Sequence, residues 1–483
     1  VYNKKKYKTE TEGIKLERVN RWKTYTNEQL EEVEKISSRY KRCLDAGKTE
    51  RESVSLAVDM AKEAGYRDLA ECVKQNVELK CGDKVYVNQM GKALALFQIG
   101  EEPLEKGMNI LGAHVDSPRL DVKQNPLYEE SELAYLDTHY YGGIKKYQWA
   151  AIPLALHGTV AKKDGTTVNI TIGEKEDDPV LVISDLLIHL AGEQMEKKAS
   201  VVIEGEVLDV LVGSRPLVEE GEDEEGKKEK ELVKAMILRY LKENYDLEEE
   251  DFLSAELEVV PAGKARDCGL DRSMILAYGQ DDRICAFTSL FAMLEVKNPR
   301  RTSCCLLVDK EEIGSVGATG MHSRFFENAV AEIMALTVGE SDLKVRRSLQ
   351  NSYMLSSDVS AAYDPMFAGV FEKKNAAFFG NGLCLNKYTG SRGKSGSSDA
   401  NAEYIGKLRG VFDGADVAFQ TAELGKVDKG GGGTIAYIMA NYGMNVIDSG
   451  MAVLSMHAPW EIASKADIYE GYRGYKAFLE KME

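Results

Sequence analysis

Apolar positions along this chain fall into two kinds of pattern. Short continuous runs occur as MNILGA ending at His114, SCCLLVD before Lys310, YMLSSD ending at Asp358, and VIDSGMAVLSMH ending at His457. Runs of this length without alternation predict strands buried on both faces. Between them, apolar residues recur at helical spacing over 282–297, 323–337 and 463–482. Upstream of all of these, Thr26-Asn-Glu-Gln29 and Thr49-Glu-Arg-Glu52 have capping-box form, and each opens an amphipathic stretch. Strands alternating with helices predict an α/β fold with a mostly parallel or mixed central sheet.

From residue 121 to 270 the alternation lapses. WAAIPLALHGTVA, TTVNITIG and ASVVIEGEVLDVLVG read as shorter β runs with few helices between them. Within this region Glu219–Glu225 carries six acids in seven positions, the composition of a solvated loop. The chain therefore reads as one globular α/β domain, residues 1–120 and 271–483, interrupted by a β-rich insertion at 121–270. No internal repeat suggests a solenoid.

Composition narrows the partners. Across 483 residues, 62 basic side chains face 79 acidic ones, a net charge of −17, so nucleic acid and anionic membrane surfaces are not expected partners. The eight cysteines form no C-x-x-C pair, which reads as reduced core thiols in a cytoplasmic protein. Val1–Lys8 lacks an apolar signal core, and no run reaches the ~18 apolar residues of a membrane span.

Histidine is scarce, at six residues, and two of them end strand-like runs in acid-bearing loops, GAHVDSPRLD and LSMHAPWE. In open α/β sheets, ligands bind beyond the carboxyl ends of strands. His114 and Asp116 form an H-x-D unit, whose carboxylate can orient an imidazole. GQDDR puts Asp281 and Asp282 at a helix start, where helix capping is the ordinary role. DKEEIGS places Glu311 and Glu312 in one loop, and adjacent acids are easier to accommodate beside a cation. Asp358 alone would be a turn residue. Together these positions supply two histidines and three acids on separate strand ends, with one glutamate spare. That inventory suits two divalent metals bridged by a carboxylate, with the spare glutamate as general base for amide hydrolysis. Zinc favours such nitrogen and oxygen donors, and cobalt or manganese also fit.

The ensemble of GAHVDSPRLD, GQDDR, DKEEIGS, SSDVS and LSMHAPWE, in this order over residues 100–460, resembles the M18 family of metallo-aminopeptidases. The resemblance implies that His114, Asp281 and Asp358 bind one metal, that Asp281 bridges to a second held by Glu312 and His457, and that Glu311 is the general base. It implies that Asp116 orients His114, and that Asp282 follows a residue where the wider clan often has a cis peptide. It implies a globular two-metal peptidase domain interrupted by a β-rich dimerisation domain, with dimers assembling into tetrahedral dodecamers. PVLVISDLLIHL is similar to a family stretch in the insertion, which implies that His189 holds substrate in a neighbouring subunit; an interface or β-core role is the alternative. Substrates would be peptides with a free N-terminus. Lys387 and Arg392, in LNKYTGSRGKSGSSDAN, lie where the family has a substrate-binding loop, Lys387 matching better. The family includes members selective for acidic and for Leu-like neutral first residues, and GQDDR departs from the LDN-type stretch of the acid-selective ones. Lys429-Gly-Gly-Gly-Gly-Thr434 is a second candidate substrate loop, without the spacing of a nucleotide-binding motif. Three other readings use the same features: a related two-metal exopeptidase or deacylase, a catalytically silent assembly or cargo protein, and an acidic binding module. Blocked against free N-termini, metal content, and deletion of the acidic block would separate them from an aminopeptidase.

Overall fold

The structure, a computed structural model, describes residues 19–218 and 231–483. The acidic block at 219–225 lies outside the described residues. Nine strands form the main sheet, in the order Arg67–Asp68, Lys84–Gln89, Ala93–Gln98, Thr302–Val308, Met108–His114, Tyr353–Ser357, Asn445–Gly450, Leu383–Asn386 and Phe419–Thr421. The four central strands, Thr302–Val308 to Asn445–Gly450, are parallel, and their outer neighbours are antiparallel.

These four come from the continuous apolar runs of the sequence, but VIDSGMAVLSMH, read as one strand, divides between Asn445–Gly450 in this sheet and Ala452–Leu454 in another. Alternate residues feed opposite cores because strand side chains alternate faces. Cys305, Leu307, Leu111 and Ala113 join one core with helices Asn27–Ala46, Glu50–Glu63, Gln280–Glu295 and Lys465–Lys481. Cys304, Leu306, Met108 and Ile110 join another with helix Phe325–Val338. Cys304 and Cys305 thus point to different layers, and all eight cysteines are free thiols. Both capping boxes form: the Thr26 and Thr49 hydroxyls each accept from the main chain three residues on, and each threonine N–H donates back to the Gln29 or Glu52 side chain. Among the described residues no helix is long and apolar enough to cross a membrane.

A second, antiparallel sheet runs in the order Thr167–Ile172, Leu154–Ala161, Ala255–Pro261, Arg119–Glu130, Leu133–Tyr141, Val210–Gly213. It encloses its own core, including Leu120, Trp149, Leu156 and Val259. Two local expectations fail here. Only Val210–Gly213 of ASVVIEGEVLDVLVG is a strand; the remainder is turns and a short 3-10 segment. Helix Leu232–Tyr245, which the reading of few helices missed, packs Ile237, Leu238 and Leu241 against this sheet. It starts at Glu231 with a left-handed backbone and no side-chain cap, so no start signal precedes its i, i+4 stripe.

A third sheet joins Arg266–Cys268, Met274–Ala277, Glu461–Ser464, Ala452–Leu454 and Ser360–Ala361. Its strand Glu461–Ser464 brings Glu461 beside Asp281, far away in sequence.

The second sheet meets the helices through a buried ionic cluster. His157, with a side chain 3% exposed, contacts Glu52 of the second capping box at 2.8 Å and Glu174 at 3.1 Å. Lys48 Nζ also reaches Glu174, at 2.5 Å. Burial opposes the imidazolium, but the two carboxylates outweigh it and raise the His157 pKa above its ordinary value. A histidine so raised adds stability that is full below the unfolded pKa of about 6.5 and is lost as pH climbs through the folded value. His157→Gln should therefore cost about 2 kcal/mol at pH 6, and the gap to wild type should narrow at pH 9. Urea unfolding at both pH values checks this; an equal gap at both would contradict it.

Candidate metal centre

The carboxyl ends of the central parallel strands converge on one cavity of about 420 Å³. Met108–His114 ends on His114, Tyr353–Ser357 delivers Asp358, and the loop after Thr302–Val308 carries Glu311 and Glu312. Asp281 enters from the first turn of helix Gln280–Glu295, where its own φ/ψ and those of Asp282 are not helical and the peptide between them is cis. His457 follows strand Ala452–Leu454 in a left-handed backbone conformation.

Two groups form there. His114, Asp281 and Asp358 offer ligand atoms within 4.8 Å of one another, and so do Asp281, Glu312 and His457. Asp281 belongs to both: its Oδ1 is 3.4 Å from His114 Nε2, and its Oδ2 is 3.2 Å from His457 Nε2. Glu312 Oε1 lies 3.5 Å from His457 Nε2 and, despite its burial, has no hydrogen-bond partner among the described residues. Glu311 Oε2 stands 3.8 Å from His114 Nε2.

Main-chain contacts hold this arrangement. His114 Nδ1 is 3.0 Å from the Asp116 carbonyl and 3.4 Å from the Asp116 carboxylate, so the carbonyl is its nearer acceptor. His457 Nδ1 is 2.8 Å from the carbonyl of Gly143. Donation from Nδ1 leaves each Nε2 free to face the centre as a lone-pair donor. The buried Asp116 carboxylate accepts the backbone N–H of Glu311 at 3.1 Å and of Glu312 at 3.2 Å. Glu461, also buried, accepts the N–H of His457 at 2.8 Å and of Asp281 at 3.0 Å. Ser117 Oγ donates to the Asp281 carbonyl at 2.7 Å.

Burial drives the electrostatics. It pushes Glu311 up to about 7, with the Asp116 and Asp281 charges adding and His114 opposing. Glu312 and Asp358 rise well above the carboxylate range, by burial first and then by the charges of Asp281 and Glu311 respectively. Asp281 moves the other way, because hydrogen bonds from both histidines overcome its burial. His457 rises to about 10: burial lowers it, and Asp281 and Glu312 more than compensate. Among the described residues no lysine or arginine lines the cavity. Ionised together, the four carboxylates would exceed the charge of both imidazoles, an excess that protons or a bound cation would offset. The donors are nitrogen and oxygen, the set that divalent zinc accepts.

Residues 43–479 match the profile of the family described as aminopeptidase I zinc metalloprotease (M18). The chain belongs to the M18 family. A probable M18 family aminopeptidase 1 of Clostridium acetobutylicum is 60% identical over 460 residues, 95% of this chain and 97% of that protein. A probable M18 family aminopeptidase 1 of Thermotoga maritima is 44% identical, covering 97% of this chain and 100% of its own length. Among solved structures, an M18 family aminopeptidase from Thermotoga maritima superposes with a TM-score of 0.90 at 44% identity, over 97% of this chain and 100% of that one. Aminopeptidase I from Clostridium acetobutylicum gives 0.86 at 57% identity, over 96% and 99%. The mApe1 of S. cerevisiae, solved as a dodecamer, shares the fold with a TM-score of 0.74 at 21% identity, over 92% and 97%. The protein is thus a metallo-aminopeptidase, and the α/β expectation matches the fold of its solved relatives.

Not every residue singled out in the sequence reaches the cavity of this M18 aminopeptidase. His189 sits in an exposed turn among exposed Leu186, Leu187, Ile188 and Leu190, and does not line it. Lys387 is half exposed and ion-paired with Asp399, outside the lining. Arg392 lines a separate, adjacent pocket. Of the glycine run, Gly431, Gly432, Gly433 and Thr434 do line the cavity. The sequence reading missed Glu461, Tyr141 and Gly143. Glu461 had a signal, an acid four residues beyond His457 in LSMHAPWE, whereas Tyr141 and Gly143 come from the other sheet and carry none.

Glu461→Gln sets an amide N–H against one of two main-chain donors. The denaturant midpoint should fall by an amount equivalent to about 1–3 kcal/mol, and an unchanged midpoint would show that Glu461 is not the clip described.

Proposed function

We propose that this M18 aminopeptidase hydrolyses the N-terminal bond of peptides at two divalent cations, one held by His114, Asp281 and Asp358 and the other by Asp281, Glu312 and His457. The observation that carries this reading is the position of Asp281, which directs one carboxylate oxygen to each histidine. The two clusters meet the donor types and the charge requirement of zinc, and cobalt or manganese would fit the same atoms. When bound, such cations supply Lewis acidity, polarising the scissile carbonyl and acidifying the attacking water.

The protein's own groups do the remaining work. Glu311 lines the cavity beside the clusters without belonging to either, so its carboxylate is placed to take a proton from water and return it to the leaving amine. Asp116 fixes the main chain of both Glu311 and Glu312, which sets the base against the second cluster.

For the first residue of the substrate, the walls support a neutral side chain over an acidic one. Leu424, Met456, Val359 and Tyr437 supply apolar surface, Asn386 and Thr389 supply uncharged polar groups, and Lys387 is taken by Asp399. A carboxylate substrate would need a cation that this lining lacks.

The proposed insertion 121–270, which holds the six-stranded sheet except the first two residues of strand Arg119–Glu130, is read as a dimerisation domain. Its exposed apolar turn at 186–190 supports pairing with a second copy, which would carry His189 into the neighbouring cavity. Dimers would then build a homo-oligomer such as the dodecamer of the yeast protein.

Glu311→Gln should retain bound metal and lose about 10²–10⁴-fold in kcat; full turnover in this variant would refute the base assignment. On aminoacyl substrates with free amines, Leu should exceed Asp and Glu in kcat/KM, with chelation abolishing and zinc, cobalt or manganese restoring turnover; a preference for Asp would overturn the pocket reading. Co-refolded Glu311→Gln and His189→Ala subunits, each inactive alone, should regain activity in mixed dimers. Mixtures as inactive as their parents would place His189 outside the neighbouring site.

A further inference from the structure

We propose that Tyr141-Gly142-Gly143, at the end of strand Leu133–Tyr141 in the six-stranded sheet, positions Glu312 and His457 of the second metal group together with the neighbouring Glu311. The inference rests on the two-cation reading above and assigns this segment a task in it separate from assembly.

Three consecutive residues reach the centre in three ways. The Tyr141 hydroxyl, on a side chain that is nearly buried, donates to Asp116 Oδ2 at 2.9 Å. That carboxylate also accepts the N–H groups of Glu311 and Glu312, so Tyr141 steadies the group to which both glutamates are tied. Gly142 adopts φ +75°, and a Cβ there would stand 3.3 Å from Glu312 Cβ and Oε2. The site therefore needs glycine at this point, both for backbone conformation and for the close approach. The Gly143 carbonyl accepts from His457 Nδ1 at 2.8 Å and so fixes the imidazole face turned to Asp281 and Glu312.

The segment is itself braced from within its sheet. Arg119 is the cross-strand partner of Tyr141, and its guanidinium lies 3.9 Å from the ring centroid. Arg119 is in turn held by Glu258 at 3.1 Å and Glu50 at 3.4 Å, both buried. Contact runs from the buried charges of the six-stranded sheet, through Arg119 and Tyr141, to Asp116 and the ligand loop. The outer partners of a metal's ligands set their orientation and basicity, and losing one weakens metal binding by about 10–100-fold.

The test uses metal-free, full-length protein titrated with Zn²⁺ against a chromophoric chelator, with thermal unfolding of the metal-free form as a check on folding. Wild type should bind two ions, and Tyr141→Phe should bind at least one of them about 10–100-fold more weakly while unfolding as wild type does. Tyr140→Phe, an exposed neighbour on the same strand, should bind as wild type. Should Tyr141→Phe fail to fold, the Co²⁺ absorption spectrum of Gly142→Ala carries the test, because a methyl against Glu312 should change the ligand field. Two ions bound by wild type with equal affinity in Tyr141→Phe, or an unaltered Co²⁺ spectrum in Gly142→Ala, would overturn this inference alone. A wild type that binds no metal would overturn the two-cation reading together with it.

Discussion

Four carboxylates, Asp281, Glu311, Glu312 and Asp358, share one cavity with His457, and His114 stands just behind. Like charges at such spacing repel, and burial strengthens the repulsion because water no longer screens it. The rest of the molecule serves to hold these groups together despite that cost. The centre sits at the carboxyl ends of parallel strands covered on both faces, so the loops that carry these residues spring from strands buried in two cores. Two further buried acids, Asp116 and Glu461, each spend their oxygens on main-chain N–H groups of residues that line the cavity. Fixing backbone rather than side chain leaves the carboxylates of Glu312 and Asp281 directed inward.

The supports come from all three sheets. Asp116 follows a strand of the main sheet, Glu461 opens a strand of the third, and Tyr141 and Gly143 end a strand of the second. The second sheet is therefore a structural partner of this cavity as well as a surface bearing exposed apolar side chains. Displacing it would disturb Asp116 and His457 at once, which couples the placement of that sheet to the geometry of the centre.

Much of this was legible before any coordinates. The continuous apolar runs marked the four central strands because a strand buried on both faces has no polar alternation to interrupt it. Thr26 and Thr49 marked two helix starts through local hydrogen bonding that needs no tertiary partner. His114, Asp281, Glu311, Glu312, Asp358 and His457 were singled out because each follows or ends an apolar run or opens a helix, and the fold brings them together. Helix Leu232–Tyr245 was missed because its start has no cap, and its stability comes from the sheet beneath it. Lys387, read from the sequence as a candidate substrate cation, pairs with Asp399 twelve residues on, a contact that its motif did not mark.

By itself the sequence determined the alternation of layers, the loops that carry acids and histidines, and the candidates for a metal centre. All of these depend on residue type and short spacing, which the chain carries locally. Only the tertiary structure decided which Asp281 oxygen meets which histidine, which acids clamp backbone instead of facing the cavity, and that Tyr141 and Gly143 belong to the centre. Those outcomes depend on contacts between segments up to 314 residues apart, as with Gly143 and His457. No local pattern encodes such a contact, because it exists only once two sheets have packed.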